Sequence, residues 1–157
     1  MLKPLGLVLL MASAALAQGK LAPVDEAGYP KMLSASRGKV LLVDFWATYC
    51  KPCRAETPAL VAIEEKLKAK GVKLIMVSAD EPEQEAAAAK FLAGARVNGP
   101  WFIRRAKDDD RFINLVDPKW NGALPALFLY DRSGRKVKAW FGETAAKDVE
   151  SAVAKLL

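Results

Sequence analysis

The run Val40-Leu41-Leu42-Val43-Asp44-Phe45-Trp46 constrains this chain more than any other stretch. Its β-branched and aromatic apolar residues, with one polar member, read as a buried strand. Ala47-Thr48-Tyr49 then turns the chain into Cys50-Lys51-Pro52-Cys53. The segment beyond is rich in Ala, Leu, Glu and Lys and reads as a helix running to about Lys70, with Gly71 as its stop. The only two cysteines of the 157 residues therefore stand where a strand hands over to the first turn of a helix. Unpaired N–H groups and the positive end of the macrodipole favour an anion there. A Cys50 thiolate would be that anion, with a lowered pKa and greater availability as a nucleophile.

Two other uses of such a pair are weaker. A disulfide across two intervening residues closes a very short loop, and chain entropy gives it only about 2 kcal/mol. A zinc site needs four ligands, and the chain has no His and no third Cys. A redox dithiol is the favoured reading.

Around this centre, the chain reads as a leader and one domain. Residues 1–17 carry one charge, Lys3, then the apolar run from Leu5, then Ala15-Leu16-Ala17 before Gln18. That is the form of a cleaved secretory signal peptide. The uncharged stretch from Pro4 to Gln18 is shorter than the ~20 residues that span a bilayer. Export places the cysteines where disulfides persist, so a reductant there needs an electron donor of its own, expected at the membrane. Removing the leader takes away one Lys and no acid, so a modest basic excess remains of the +6 formal charge. It forms no Lys/Arg cluster interleaved with aromatics, and nucleic acid is not an expected partner. Residues 18–24 read as a loose lead and residues 25–157 as one domain, expected to be a monomer, large enough to build a core without staples.

Within that domain, Glu26–Ser36 reads as a short helix and Val72–Ala79 as a second buried strand, which with the central strand and helix makes a parallel βαβ unit. Pro58 lies inside the central helix and is expected to kink it. Glu81–Ala95 reads as a helix and Trp101-Phe102-Ile103 as a short edge strand. Asp108-Asp109-Asp110 lacks the spacing of a calcium loop and reads as the start of a helix over Asp110–Val116. Ala126–Tyr130 is a strand opened by Pro125, and Asp131–Gly134 turns it into Arg135–Phe141. Val149, Ala152, Val153 and Leu156 give an amphipathic C-terminal helix.

The segment Val43-Asp-Phe-Trp-Ala-Thr-Tyr-Cys-Lys-Pro-Cys-Arg-Ala-Glu-Thr-Pro58 resembles the active-site segment of the thioredoxin superfamily. Its second half is most similar to the TlpA/ResA-like branch of exported bacterial thiol–disulfide oxidoreductases. The resemblance implies a thioredoxin-like α/β fold: a mixed sheet flanked by helices, in the order βαβ, helical insert, ββα. Gly122-Ala-Leu-Pro125, followed by an apolar strand and Asp131-Arg-Ser-Gly134, is similar to the superfamily's cis-proline segment. That implies a groove beside the cysteines in which the backbone of Leu124 pairs with an extended partner.

In this reading Cys50 attacks a protein disulfide and Cys53 resolves the mixed disulfide. Lys51 adds positive charge and Pro52 stiffens the turn. Asp44 either points to water from an alternating strand or is buried, with a raised pKa, and relays a proton to and from Cys53; the resemblance favours the relay. Trp46 and Tyr49 flank the dithiol as core or substrate contacts, Tyr49 standing where the family more often has Trp. No cofactor or metal enters the reaction. The expected activity is that of a periplasmic reductant of protein disulfides, of the type serving cytochrome c maturation or metal-centre assembly. The alternatives are a disulfide oxidant or isomerase, a copper(I) carrier using the same cysteines, and a redox-inert binding module. Thr48 stands two residues before Cys50, but the Trp-Ala-Thr-Tyr-Cys setting is not that of a peroxidatic cysteine, and peroxidase activity is discounted.

Overall fold

A computed structural model describes residues 19–157. The leader assigned to residues 1–17 lies outside the described residues, as does Gln18. The elements run β1 (Ala22–Val24), α1 (Gly28–Ala35), β2 (Val40–Trp46), α2 (Lys51–Leu67), β3 (Val72–Ser78), α3 (Glu85–Gly94), β4 (Phe102–Arg104), α4 (Asp109–Val116), β5 (Ala126–Tyr130), β6 (Lys136–Phe141) and α5 (Ala146–Ala154). The six strands form one sheet in the order β1-β4-β3-β2-β5-β6. β2 pairs parallel with β3 and antiparallel with β5. This is the mixed α/β architecture that the sequence implies.

The sheet is the middle of three layers. Side chains alternate across each strand, so Val40, Leu42 and Trp46 of β2 join a core with Leu60 and Ile63 of α2, Leu92 of α3 and Val149 and Val153 of α5. Leu41, Val43 and Phe45 face the other way, against Tyr29 of α1 and Phe112 of α4. On that side Phe45 contacts Tyr29, Phe112, Trp120 and Phe128 with ring centroids 4.7–6.1 Å apart, and the Tyr29 and Tyr130 hydroxyls bond at 2.8 Å. Every residue of β2 is buried.

Two expectations need correction. Ala22–Val24, read as a loose lead, is a strand paired parallel with Phe102–Arg104, and Leu21 beside it is 1% exposed. β4 is consequently interior rather than an edge, lying between β1 and β3. A three-residue strand owes its existence to partners eighty residues away, which local periodicity does not register. Pro58 lies inside α2, as the sequence places it, and a 3-10 turn, Lys68–Lys70, leads into Gly71 at φ +87°. A Cβ at Gly71 would also meet Arg132 Nη1 at 2.7 Å. Asp108 caps α4, its carboxylate accepting the Arg111 N–H at 3.0 Å.

Glu64 of α2 was not singled out in the sequence. It is 3% exposed and accepts the Leu74 amide of β3 at 2.9 Å and the Asn98 side-chain amide at 3.0 Å. It ties α2 to the start of β3. Glu64→Ala leaves the Leu74 N–H without this acceptor and is expected to cost about 1–3 kcal/mol in urea unfolding, with Glu64→Gln recovering much of it.

Candidate functional site

β2 ends at Trp46, and the chain folds into a tight turn in which Cys50 N–H bonds Ala47 O at 3.1 Å. α2 begins at Lys51 with Pro52 in its first turn, where a missing N–H removes nothing from the helix. Cys50 is the N-cap: its backbone is extended and its Sγ accepts the Cys53 N–H at 3.3 Å. The helix therefore aims a donor at the sulfur that the sequence places at its positive end. Cys50 and Cys53 are joined as a disulfide, with Cys50 8% exposed and Cys53 fully buried. One sulfur is presented at the surface and its partner is sealed beneath it.

Around Cys50 lies a groove of about 510 Å³, lined by Tyr49, Lys51, Pro52, Ala79, Arg104, Trp120, Gly122 and Leu124. Tyr49 is 73% exposed and Lys51 is exposed at the rim. The Leu124–Pro125 peptide is cis, in the isomer that the resemblance implied. Pro125 is buried behind Leu124, and its carbonyl accepts the Gly142 N–H at 2.9 Å. Trp120 braces the loop from beneath, donating from Nε1 to Ala123 O at 2.8 Å while its ring stacks near Phe45. Sequence reasoning gave Trp120 no role in the groove; its place in the Trp-Asn-Gly-Ala-Leu-Pro segment was the available signal.

Trp46 requires a correction. It is fully buried on the α2 side of the sheet and packs against Phe91 at 4.9 Å, so it supports the site from within and does not face the groove.

Asp44 is fully buried, and neither of its carboxylate oxygens has a hydrogen-bond partner. Its neighbours in register are Met76 of β3 and Leu127 of β5, both members of the core that contains Cys53. It therefore lies on the sheet face covered by α2, and the water-facing alternative is excluded. Burial without a partner raises its pKa well above the usual carboxylate range, and the nearby Glu56 charge pushes it the same way. Glu56 was not singled out in the sequence. It lies three residues beyond Cys53, a spacing that shares a helix face. It is half-buried and accepts the Thr144 N–H at 3.3 Å. Burial raises its pKa too, with Glu143 adding to the effect and the Thr144 bond opposing it. The site thus holds two carboxyl groups displaced upward beside one dithiol.

The turn before Cys50 is held from β3. Asp80, 1% exposed, accepts the Thr48 backbone N–H at 3.1 and 3.0 Å and the Thr48 hydroxyl at 2.6 Å. The Thr48 hydroxyl is committed to that carboxylate.

A sequence model of the AhpC/TSA family matches residues 14–139. The thiol-disulfide oxidoreductase ResA of Bacillus cereus is 32% identical over 142 residues, covering 88% of this chain and 78% of that protein. ResA of Geobacillus kaustophilus is 31% identical over 140 residues, covering 87% and 76%. Among solved structures, the thioredoxin domain of a thiol-disulfide oxidoreductase from Bacteroides vulgatus aligns with TM-score 0.64 at 27% identity, covering 78% of this chain and 82% of that one. A thioredoxin-family thiol:disulfide interchange protein from Chlorobium tepidum aligns with TM-score 0.66 over 78% and 83%, at 21% identity, a likeness of fold. With its Cys50–Cys53 pair at the head of α2, the chain belongs to the AhpC/TSA family as a thioredoxin-like thiol–disulfide oxidoreductase.

Proposed function

We propose that this protein is an exported reductant of protein disulfides, of the type that serves cytochrome c maturation or metal-centre assembly, with a membrane-bound electron donor. The observation that carries the dithiol chemistry is the asymmetry of the pair: Cys50 at the groove and Cys53 fully buried. The ResA relatives support the branch. The leader-like residues 1–17 support export, and among the described residues no helix is long and apolar enough to cross a membrane.

In the reaction the reduced Cys50 thiolate attacks one sulfur of a substrate disulfide. The Cys50–substrate bond forms, the substrate S–S bond breaks, and one substrate thiolate leaves and takes up a proton. Asp44 first releases its proton toward solvent; Cys53 then attacks Cys50 Sγ, its proton passing to that ionised carboxylate, and the second substrate thiolate departs. Two electrons have moved from the dithiol to the substrate. The products include the Cys50–Cys53 disulfide seen here and a protonated Asp44, the form its surroundings favour. Tyr49, Lys51, Pro52 and Leu124 line the groove in which the substrate lies extended, and Pro125 fixes the Leu124 backbone beside Cys50.

Cys53→Ala should accumulate a mixed disulfide with a cysteine-containing substrate, seen as a mass increase reversed by dithiothreitol, whereas Cys50→Ala should form none. Equal trapping by both variants would overturn the assignment. Direction is tested separately: a reductant requires a Cys50–Cys53 potential near or below about −250 mV, and a value near about −120 mV would make the protein an oxidant.

Asp44→Asn should slow resolution of the mixed disulfide by about 100-fold near neutral pH. The variant should also alter how stability depends on pH. The unfolded carboxyl ionises in the ordinary range while the folded one stays protonated, so the unfolded state binds fewer protons between the two pKa values. Wild-type stability is then lost as pH rises through that window. The stability of Asp44→Asn relative to wild type, followed by urea unfolding, should therefore rise from pH 4 to pH 7. A constant difference across that range would exclude a protonated Asp44.

A further inference from the structure

We propose that Asp80 is a positioning residue that presets the dithiol for ring closure, an inference that rests on dithiol–disulfide exchange at Cys50 and Cys53. Asp80 follows β3 by two residues and is far from Cys50 in sequence, yet its carboxylate reaches the turn that carries the nucleophile. Both oxygens accept the Thr48 amide, Oδ1 also accepts the Thr48 hydroxyl at 2.6 Å, and Oδ2 accepts the Ser78 hydroxyl at 2.7 Å. The Asp80 N–H donates back to Ser78 Oγ at 3.0 Å. Its carbonyl accepts from Arg105 Nη1 at 2.8 Å, and Arg105 pairs with Glu85 at 3.4 Å. The buried side chain is surrounded by donors, which offset the cost of taking it out of water. Asp44, equally buried, has none.

Thr48 is two residues before Cys50, inside the turn closed by the Cys50-to-Ala47 bond. In the oxidised protein the S–S bond holds Cys50 over the start of α2. Reduction removes that covalent tie and adds two electrons and two protons to the pair. Asp80 then supplies the side-chain bonds that keep the turn in the conformation the disulfide needs. A turn already in place loses less conformational freedom when the ring closes, so the clamp favours the disulfide and lowers the reduction potential.

The test is the redox equilibrium with a dithiothreitol couple at pH 7 and pH 5, each variant compared with wild type at the same pH. Asp80→Ala is expected to shift the equilibrium about tenfold toward the dithiol, about 30 mV less negative, at both pH values. Asp80→Asn keeps one acceptor oxygen for the Thr48 amide and should show less than half of that shift. Thr48→Val removes the hydroxyl bond alone and should move the equilibrium about threefold in the same direction; it carries the test if Asp80→Ala does not fold. An unchanged equilibrium in folded Asp80→Ala overturns the proposal, as does an unchanged equilibrium in Thr48→Val where Asp80→Ala does not fold. A shift present at pH 7 and absent at pH 5 also overturns it, because that pattern assigns the effect to the Asp80 charge acting on a thiolate. Wild-type trapping and exchange are untouched by any of these results, so the oxidoreductase reading fails or stands separately.

Discussion

β2 is the member on which the rest of the molecule depends. It is paired along both edges, with β3 and with β5, and covered on both faces by helices. A strand enclosed on all four sides has no freedom to slip, since a one-residue shift would turn its whole apolar set onto the wrong face. That fixed register sets where Trp46 ends the strand, and with it where α2 can begin. The N-cap position of Cys50, the burial of Cys53 and the place of Asp44 all follow from the register of seven residues.

Two buried aspartates show how far surroundings decide chemistry. Asp44 and Asp80 are both essentially inaccessible. Asp80 sits among the amide and hydroxyl groups of Thr48 and the hydroxyl of Ser78, which tie it to the turn before Cys50. Asp44 sits between Met76 and Leu127 with no donor, so its surroundings favour the protonated form and it ionises only at a cost. An acid maintained in that state is poorly suited to holding a fold together and well suited to moving a proton. Glu56, half in solvent and coupled to Asp44, gives the sealed carboxyl a neighbour nearer to water.

Much of this was legible in the residues, because the signals were local. An apolar run, a Cys-x-x-Cys pair and a run of helix formers define the handover at Cys50 without any tertiary information. Local pattern alone left Asp44 open between water and core, and the answer depended on α2 lying over that face of β2. The cis isomer of Pro125 was implied by resemblance and not by its neighbours in sequence. What stayed hidden depended on distant partners. β1 exists because β4 passes beside it, Glu64 meets its backbone partner only once β3 is laid against α2, and Asp80, between the expected strand and helix, serves a turn formed thirty residues earlier. Trp46 looked equally suited to groove or core, and the alternation of β2 placed it inside.

The account turns on the protonation of Asp44 within the dithiol core, and the most direct measurement is its carboxyl carbon followed by NMR through a pH titration of the oxidised protein. The account predicts that the Asp44 resonance keeps the chemical shift of a protonated acid well above the pH at which the exposed carboxylates have ionised, and that reduction of Cys50–Cys53 moves its titration. An Asp44 that ionises in the ordinary carboxylate range, indifferent to the state of the cysteines, would contradict it.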